Sequence, residues 1–317
     1  MLSDELAQAK TNKKEFLKKM DAIIPWNEFI GIIKPYYYKG EYGNKPYDIE
    51  LMLRIYIIQN CYDLSDMGVM DEILDSRAFS EFCGVSSPDE VPNGDTIGRF
   101  RNILVKNHVQ EELFIQVAKI MRKRNLILKK GTIVDSTIIE SPSSTKNKNK
   151  ERDPDAHSVK KGNQWHFGYK AHIGADSDTG IVHHLKVTAA NKHDVEQVND
   201  LVYRTEEKFF GDSGYLNAEE HFEEGKFENG TENVDFEINQ RRGKKKKLDP
   251  NDRLAFEIEE HNKSAVRSKV EHVFAVVKRL FKFRRTRYRG LEKQTAKFNI
   301  MFALANLYLA DRKFLTA

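Results

Sequence analysis

The sequence predicts an α/β protein in two parts: an all-helical N-terminal domain over residues 1–128, and a mixed sheet with flanking helices over residues 129–317. Three observations carry that prediction. Apolar residues recur at helical spacing through much of the first 128 positions, with polar cap residues between the runs. At Gly131 the chain changes to short β-branched runs, starting with TIVDSTII and continuing on both sides of the turn DSDTG. Later, the stretch from Arg267 to Lys278 reads RSKVEHVFAVVK, and Val266, Val270, Val273, Val277 and Leu280 alternate three and four apart along one helical face.

A chain of 317 residues is comfortable for two domains, with apolar content for a core. Charged residues make up 32% but the net charge is only +4, so the overall balance identifies no partner. The distribution says more. Basic residues concentrate at RRGKKKK from Arg241 and at KRLFKFRRTRYRG from Lys278, while Glu219 to Glu237 is acidic. Such blocks are solvated surface or, where Phe and Tyr interleave them, contacts to a nucleic-acid backbone. Cys61 and Cys83 are too few for a disulfide framework or a zinc site and read as core thiols of a reducing cytosol. No apolar run approaches the roughly 18 residues of a membrane span. The charged N-terminus lacks the apolar core of a signal peptide. The expectation is a soluble cytoplasmic protein with no membrane partner.

Residues 1 to about 35 read as a short helical arm, charged at Glu5, Lys10, Lys13 and Lys14 and more apolar towards Ile30. PYDIELMLRIYIIQNCY opens with Pro46 at a first turn and carries Leu51, Leu53, Ile55 and Ile58. DLSDMGVMDEILDS follows, then a break at SSPDEVPNG, then DTIGRFRNILVKN and EELFIQVAKIMRKRNLI, with Ser65 and Asp95 where N-caps belong. Arg99 and Arg101 on one short helix fit either a helix docked in a DNA groove or a packing and dimerisation module.

In the second part Asp135 lies mid-strand, sharing a face with Ile133, Thr137 and Ile139. An unpaired carboxylate there is costly and needs a metal, a cation or strong hydrogen bonds. SPSSTKNKNKERDPDAHSVKKGN reads as a polar loop. QWHFGYKAHIGADSDTGIVHHLKVTAAN reads as a hairpin, HDVEQVNDLVYRTEE as a helix, and KFFGDSGYL as a strand that ends at Asp212 in a glycine turn. NVDFEINQ is one more strand. The long helix bearing Glu271 follows, a break at RYRGLEK, and a closing helix from TAKFNIMF. Three antiparallel strands followed by helix-linked strands is the order of an RNase H-like sheet. In that order the carboxylates of the first and fourth strands lie side by side, and a later helix covers them with a third.

Glu271 sits beside the apolar stripe of its helix with Arg267 and Lys278 on the same flank, which for a single helix reads equally as an Arg267–Glu271 ion pair on a solvated face. Three such acids change the reading. Phosphodiester cleavage and strand transfer need a deprotonated water or 3′-hydroxyl and a stabilised leaving oxygen, which two Mg2+ ions about 4 Å apart supply. Magnesium prefers hard oxygen ligands, so Asp135 bridging two ions, with Asp212 on one and Glu271 on the other, meets the need. Zinc fits less well, because His166, His172, His183, His184 and His193 lack helical H-x3-H spacing or cysteine partners.

The runs TIVDSTIIESPSSTKNK and KKGNQWHFGYKAHIGADSDTGIVH, the blocks TAANKHD and FGDSGY, and R-x3-E-x6-K together resemble the DDE transposases of bacterial insertion sequences, most closely insertion sequence family five. KG-x2-G-x2-PYDIELMLRIY and NGDTIGRFR resemble the N-terminal region of the same family, so the likeness runs from about Tyr37 to the C-terminal helix. The resemblance implies that Asp135, Asp212 and Glu271 bind the metal, Mg2+ or Mn2+, as the catalytic triad, and that Arg267 and Lys278 meet transposon-end DNA. The family's tyrosine three residues before the arginine is Ser264 here, which leaves its role unfilled or moved to Tyr288.

Other candidates keep two readings each. Trp165 either stacks on an unpaired base or belongs to the sheet core. Lys160 and Lys161 contact phosphates or are solvated. His193 lies at the rim of the site or is incidental, and Asp194 is a helix cap or a first-turn acid. Arg241 to Lys247, and Arg284, Arg285 and Arg287, are backbone-contact surfaces. The leading function is a DNA transposase that cuts its own terminal inverted repeats and joins the ends to target DNA, as a homodimer or higher assembly on double-stranded DNA at the nucleoid. The alternatives are a catalytically silent DNA-binding regulator and an RNase H-like nuclease that only hydrolyses.

Overall fold

The computed structural model describes residues 10–37, 45–148, 150–246 and 248–314. Glu5 of the expected arm, Lys39 to Asn44 of the N-terminal motif, and Lys247 of the basic block lie outside the described residues. The chain forms two compact units, one of residues up to 116 with those from 299 onward, the other of residues 117–298. The sequence reading instead divides the chain after residue 128 and assigns the whole terminal helix to the second domain.

The first unit is helical. Its helices are α1 (Asn12–Ile23), α2 (Trp26–Ile33), α3 (Ile49–Cys61), α4 (Asp66–Asp75), α5 (Arg77–Cys83), α6 (Gly94–Lys106) and the first part of α7 (Val109–Lys123). Every residue of α3 from Met52 to Cys61 is buried except Arg54, as befits a helix surrounded by others. Ser65 caps α4 as expected, accepting from the Gly68 N–H at 2.9 Å. Two expected starts move. Asp48, not Pro46, begins α3, accepting from the N–H groups of Glu50 and Leu51. Asn93, not Asp95, caps α6 through the Thr96 N–H, leaving Asp95 in the first turn. Arg101 is spent internally on Asp66, whereas Arg99 is exposed.

The second unit is built on a six-stranded mixed sheet: β1 (Gly131–Glu140), β2 (His157–Lys161), β3 (Gln164–Asp176), β4 (Val182–Ala189), β5 (Lys208–Gly211) and β6 (Asp235–Ile238). β1 runs antiparallel to β3 and parallel to β5, and β5 runs parallel to β6. β3 carries β2 on its first half and β4 on its second, both on the edge away from β1. The polar loop of the sequence reading is therefore partly a strand. β2 is exposed along nearly its whole length, so it lacks the alternation that would have marked it.

Val134 joins a buried cluster with Val198, Leu201, Phe209, Tyr215 and Ile238. Asp135 takes the alternate face with Ile133, Thr137 and Ile139, all three buried. The residues after His193 form only a short 3-10 turn, Val195–Asp200, and not a helix. Asp194 makes no capping bond there, because its carboxylate binds the Lys170 ammonium at 3.0 Å and lies 3.3 Å from His172 Nδ1. After a four-residue helix α8 (Arg242–Lys245), the long α9 (Pro250–Ala275) packs on β1 and β5. Val270, Val273 and Val277 of its stripe are buried. A π-turn, Val276–Leu280, then shifts the helical register, so both Val276 and Val277 are buried and Leu280 is exposed.

The last helix, α10 (Leu291–Phe314), starts earlier than expected, and the break runs from Phe281 to Gly290, so it begins upstream of RYRGLEK and takes in its RYRG. Its start is held from the far side of the sequence. Asp153, 4% exposed, accepts from the Tyr169 hydroxyl at 2.7 Å and the Gly290 N–H at 3.2 Å, and Asp155 accepts from the Leu291 N–H at 2.8 Å. Asp153→Ala leaves a buried phenol and a helix terminus unpaired, so urea unfolding should show a loss of about 2–3 kcal/mol.

Candidate active site

Two of the three acids are placed by strand register. In the parallel pair Ile133 stands opposite Phe210, so two steps further Asp135 comes level with Asp212, just past the end of β5. Neighbouring strands are about 4.8 Å apart, which sets the two residues side by side. The turn Ser213–Tyr215 fixes Asp212, whose carboxylate accepts from the Gly214 N–H at 2.8 Å. Helix α9 crosses this face, and Glu271, exposed beside buried Val270, comes from above. Asp135, Asp212 and Glu271 line one cleft of about 570 Å³, together with Ser136, Thr137, Lys161, Arg267, Lys278 and Arg279.

Electrostatics support a shared site. Burial pushes the Asp135 carboxyl up to about 6, the Asp212 and Glu271 carboxylates push the same way, and the Ser136 N–H (2.7 Å) and the Arg267 guanidinium oppose them. Three carboxylates are the hard oxygen donors that Mg2+ and Mn2+ prefer, so the chemistry of the donor set suits such an ion. Among the described residues no group of three or more His, Cys, Asp or Glu side chains stands close enough to hold a metal ion. Asp135, Asp212 and Glu271 line a single cleft without being gathered into a preformed metal site.

The basic candidates divide. Arg267 is turned inward: its side chain is 19% exposed, Nη2 stands 3.7 Å from Asp135 Oδ2, and Nη1 donates to Asn239 Oδ1 at 2.7 Å. Lys278 is half-buried on the π-turn. Burial lowers its proton affinity and so does nearby Lys161, while Glu271 and Glu140 pull the other way. Lys160 and Lys161 stand on β2 and Trp165 on the facing strand, where Trp165 pairs with Lys160 and is 70% exposed. The core reading of Trp165 is therefore excluded. His193 is exposed and does not line the cleft. Ser264, where the resembled family has tyrosine, accepts from Asn239 Nδ2 at 3.3 Å.

Arg284, Arg285, Arg287 and Arg289 are exposed on the segment that follows the π-turn. That segment joins the sheet, since Arg285 bridges to Glu140 at the end of β1 and Arg284 Nε donates to the Lys278 carbonyl at 3.0 Å. Arg289 also donates to the Glu151 carbonyl, which draws exposed Lys146, Lys148, Lys150 and Arg152 into the same surface. Two basic stretches some 140 residues apart in sequence thus converge. Four of the histidines considered for zinc have partners elsewhere, His166 through a 2.8 Å contact of its Nδ1 with Glu140 Oε1. His183 and His184 bond each other through Nδ1 at 2.6 Å, burial holds both imidazoles neutral, and His172 Nε2 bonds Thr188.

Sequence reasoning missed Asn239, buried at the end of β6, and the roles of His272 and Arg279 in lining the cleft. Only the polar pair Asn239-Gln240 directly after an apolar strand hinted at the first. A family model described as a transposase DDE domain matches residues 128–307, and another described as a transposase domain (DUF772) matches residues 4–102. No solved structure matches the chain significantly. No helix among the described residues is long and apolar enough to cross a membrane.

Proposed function

The chain belongs to the DDE transposase family, and on that premise we propose that it cuts DNA at the terminal inverted repeats of its own insertion sequence, of family five, and joins the freed 3′-hydroxyl ends to target DNA. The observation that carries this is the single cleft shared by Asp135 of β1, Asp212 just past β5 and Glu271 of α9; we read the sheet and its covering helix as RNase H-like. In this reading Asp135, Asp212 and Glu271 would hold the divalent cations, which would supply the activated water or 3′-hydroxyl and the stabilised leaving oxygen. The chain's own residues do the rest. The buried floor around Asp135 excludes water and strengthens every charge interaction on the phosphate. Lys161, Lys278 and Arg279 line the same cleft and offset the charge of the scissile strand.

The converged basic surface extends the DNA path. Arg285 meets β1 at Glu140, five residues beyond Asp135, or about 17 Å along the strand. That distance is the rise of about five base pairs, so phosphates there fall to Arg284, Arg285, Arg287 and the lysine-rich loop. Two ends must be joined, which calls for at least a dimer on DNA, working in the cytoplasm at the nucleoid.

The test is pre-cleaved end DNA with Mg2+, using the native flanks of the coding sequence as substrate. Strand-transfer products support the proposal, nicked products alone leave the hydrolysis-only nuclease, and a mobility shift without product leaves the silent regulator. Trp165→Ala should weaken binding to ends carrying unpaired terminal bases by about 1–3 kcal/mol in fluorescence titration, leaving fully paired duplex unaffected. The fold should not notice, because the indole is 70% exposed.

A further inference from the structure

A guanidinium beside a partly buried carboxylate ordinarily closes to about 2.8 Å, often through two parallel bonds. Arg267 does not: it stops 3.7 Å from Asp135 Oδ2, and what holds it is the 2.7 Å bond from Nη1 to Asn239 Oδ1. Asn239 is itself fixed on every side. Its Nδ2 donates to Glu260 Oε2 at 3.0 Å, the Glu260 carbonyl at 3.2 Å and Ser264 Oγ at 3.3 Å. Its backbone N–H donates to the Gly211 carbonyl at 3.0 Å, one residue before Asp212, and the residue is 8% exposed. Glu260, Ser264, Arg267 and Glu271 all lie on α9.

We propose that Asn239 is a positioning residue that restrains Arg267 at a distance, so that the Asp135 carboxylate stays open to a divalent cation. The proposal rests on the reading of the cleft as the metal site. Arg267 close to Asp135 lends it positive charge, but a closed ion pair would occupy the oxygen a cation needs. The Asn239 carbonyl oxygen decides between the two, and Glu260 and Ser264 decide where that oxygen points.

Two variants of near-equal size separate positioning from structure. Asn239→Leu and Asn239→Asp both lose the donors to Glu260 and Ser264, but only Asn239→Asp keeps an acceptor for Arg267. Mn2+ binding to the full-length protein without DNA, followed by calorimetry, is the readout, with thermal melting to establish folding. Asn239→Leu should weaken Mn2+ binding by about tenfold, and Asn239→Asp should stay within about threefold of the parent. Adding Arg267→Gln to Asn239→Leu removes the competing cation and should restore the affinity. Equal weakening in Asn239→Leu and Asn239→Asp, unchanged affinity in a folded Asn239→Leu, or no recovery in the double variant would overturn the proposal. If Asn239→Leu does not fold, Asn239→Ala, which also lacks an acceptor for Arg267, takes its place under the same outcomes, with and without Arg267→Gln. Asp135→Asn serves as the reference. If it binds Mn2+ like the parent, the cleft is not the metal site; if it does not, a failure among the Asn239 variants counts against Asn239 alone.

Discussion

Asp135→Asn is expected to abolish DNA cleavage, by about 10³-fold or more, while making the protein more stable at pH 8. The two effects share one cause. Asp135 sits on a strand among buried Ile133, Thr137 and Ile139, faces Asp212 and Glu271, and has its carboxyl raised to about 6, chiefly by burial. The native state therefore holds this proton more tightly than the unfolded chain does, where the carboxyl titrates near 4. Its contribution to stability is full below pH 4 and is lost as pH rises through about 6. At pH 8 the ionised acid costs up to about 3 kcal/mol, at about 1.4 kcal/mol per pH unit of displacement. Asparagine keeps the shape and has no proton to lose. Urea unfolding in chelator-containing buffer should show the variant ahead by about 1–3 kcal/mol at pH 8 and level with the parent near pH 4. A variant that is inactive and no more stable at pH 8 would mean that Asp135 is not strained by its neighbours. The same proton competes with a metal ion for the carboxylate, so activity should fall below about pH 6.

Gly174→Ala should unfold the catalytic unit, at a cost of at least about 3 kcal/mol. Gly174 lies in β3, paired with Val134 on one side and His184 on the other, and a Cβ there would stand 1.8 Å from the Leu201 carbonyl oxygen. Backbone lies on both sides of that contact, so no side chain can give way. The close approach lets the turn after β4 settle on the sheet and seat Val198 and Leu201 in the core behind Val134, one residue from Asp135. Gly31→Ala, inside α2 with nothing within 4 Å of the added carbon, should instead gain about 0.5–1 kcal/mol, as alanine is the better helix former. Circular dichroism melts of the two variants should move in opposite directions.

The three acids could be found in the sequence because each violates a local pattern: Asp135 interrupts a β-branched run, Asp212 ends a strand in a glycine turn, and Glu271 crowds an apolar stripe. Their sharing of one cleft follows from strand order, which the run of elements along the chain carried. What stayed hidden depends on partners far away. β2 is exposed on both faces and exists only by pairing with β3. Asp194 looks like a helix cap until Lys170 and His172, on a strand some 22 residues earlier, claim its carboxylate. Asp153 reads as loop until its bond to Gly290, 137 residues on, is seen. The bond of Arg267 to Asn239, 28 residues upstream, is announced by nothing nearby in sequence. Side chains whose partners lie within a turn of helix or a strand are legible; those paired across the fold are not.

Iron-directed cleavage of the polypeptide asks most directly whether the acids share a cation. Fe2+ substituted for Mg2+, with ascorbate and peroxide, cuts backbone only beside the bound ion. The account expects cuts near residues 135, 212 and 271 in the same sample, all suppressed by excess Mg2+ and all lost in Asp135→Asn. Cuts near only one of the three, or a pattern indifferent to Mg2+ and to that substitution, would contradict it.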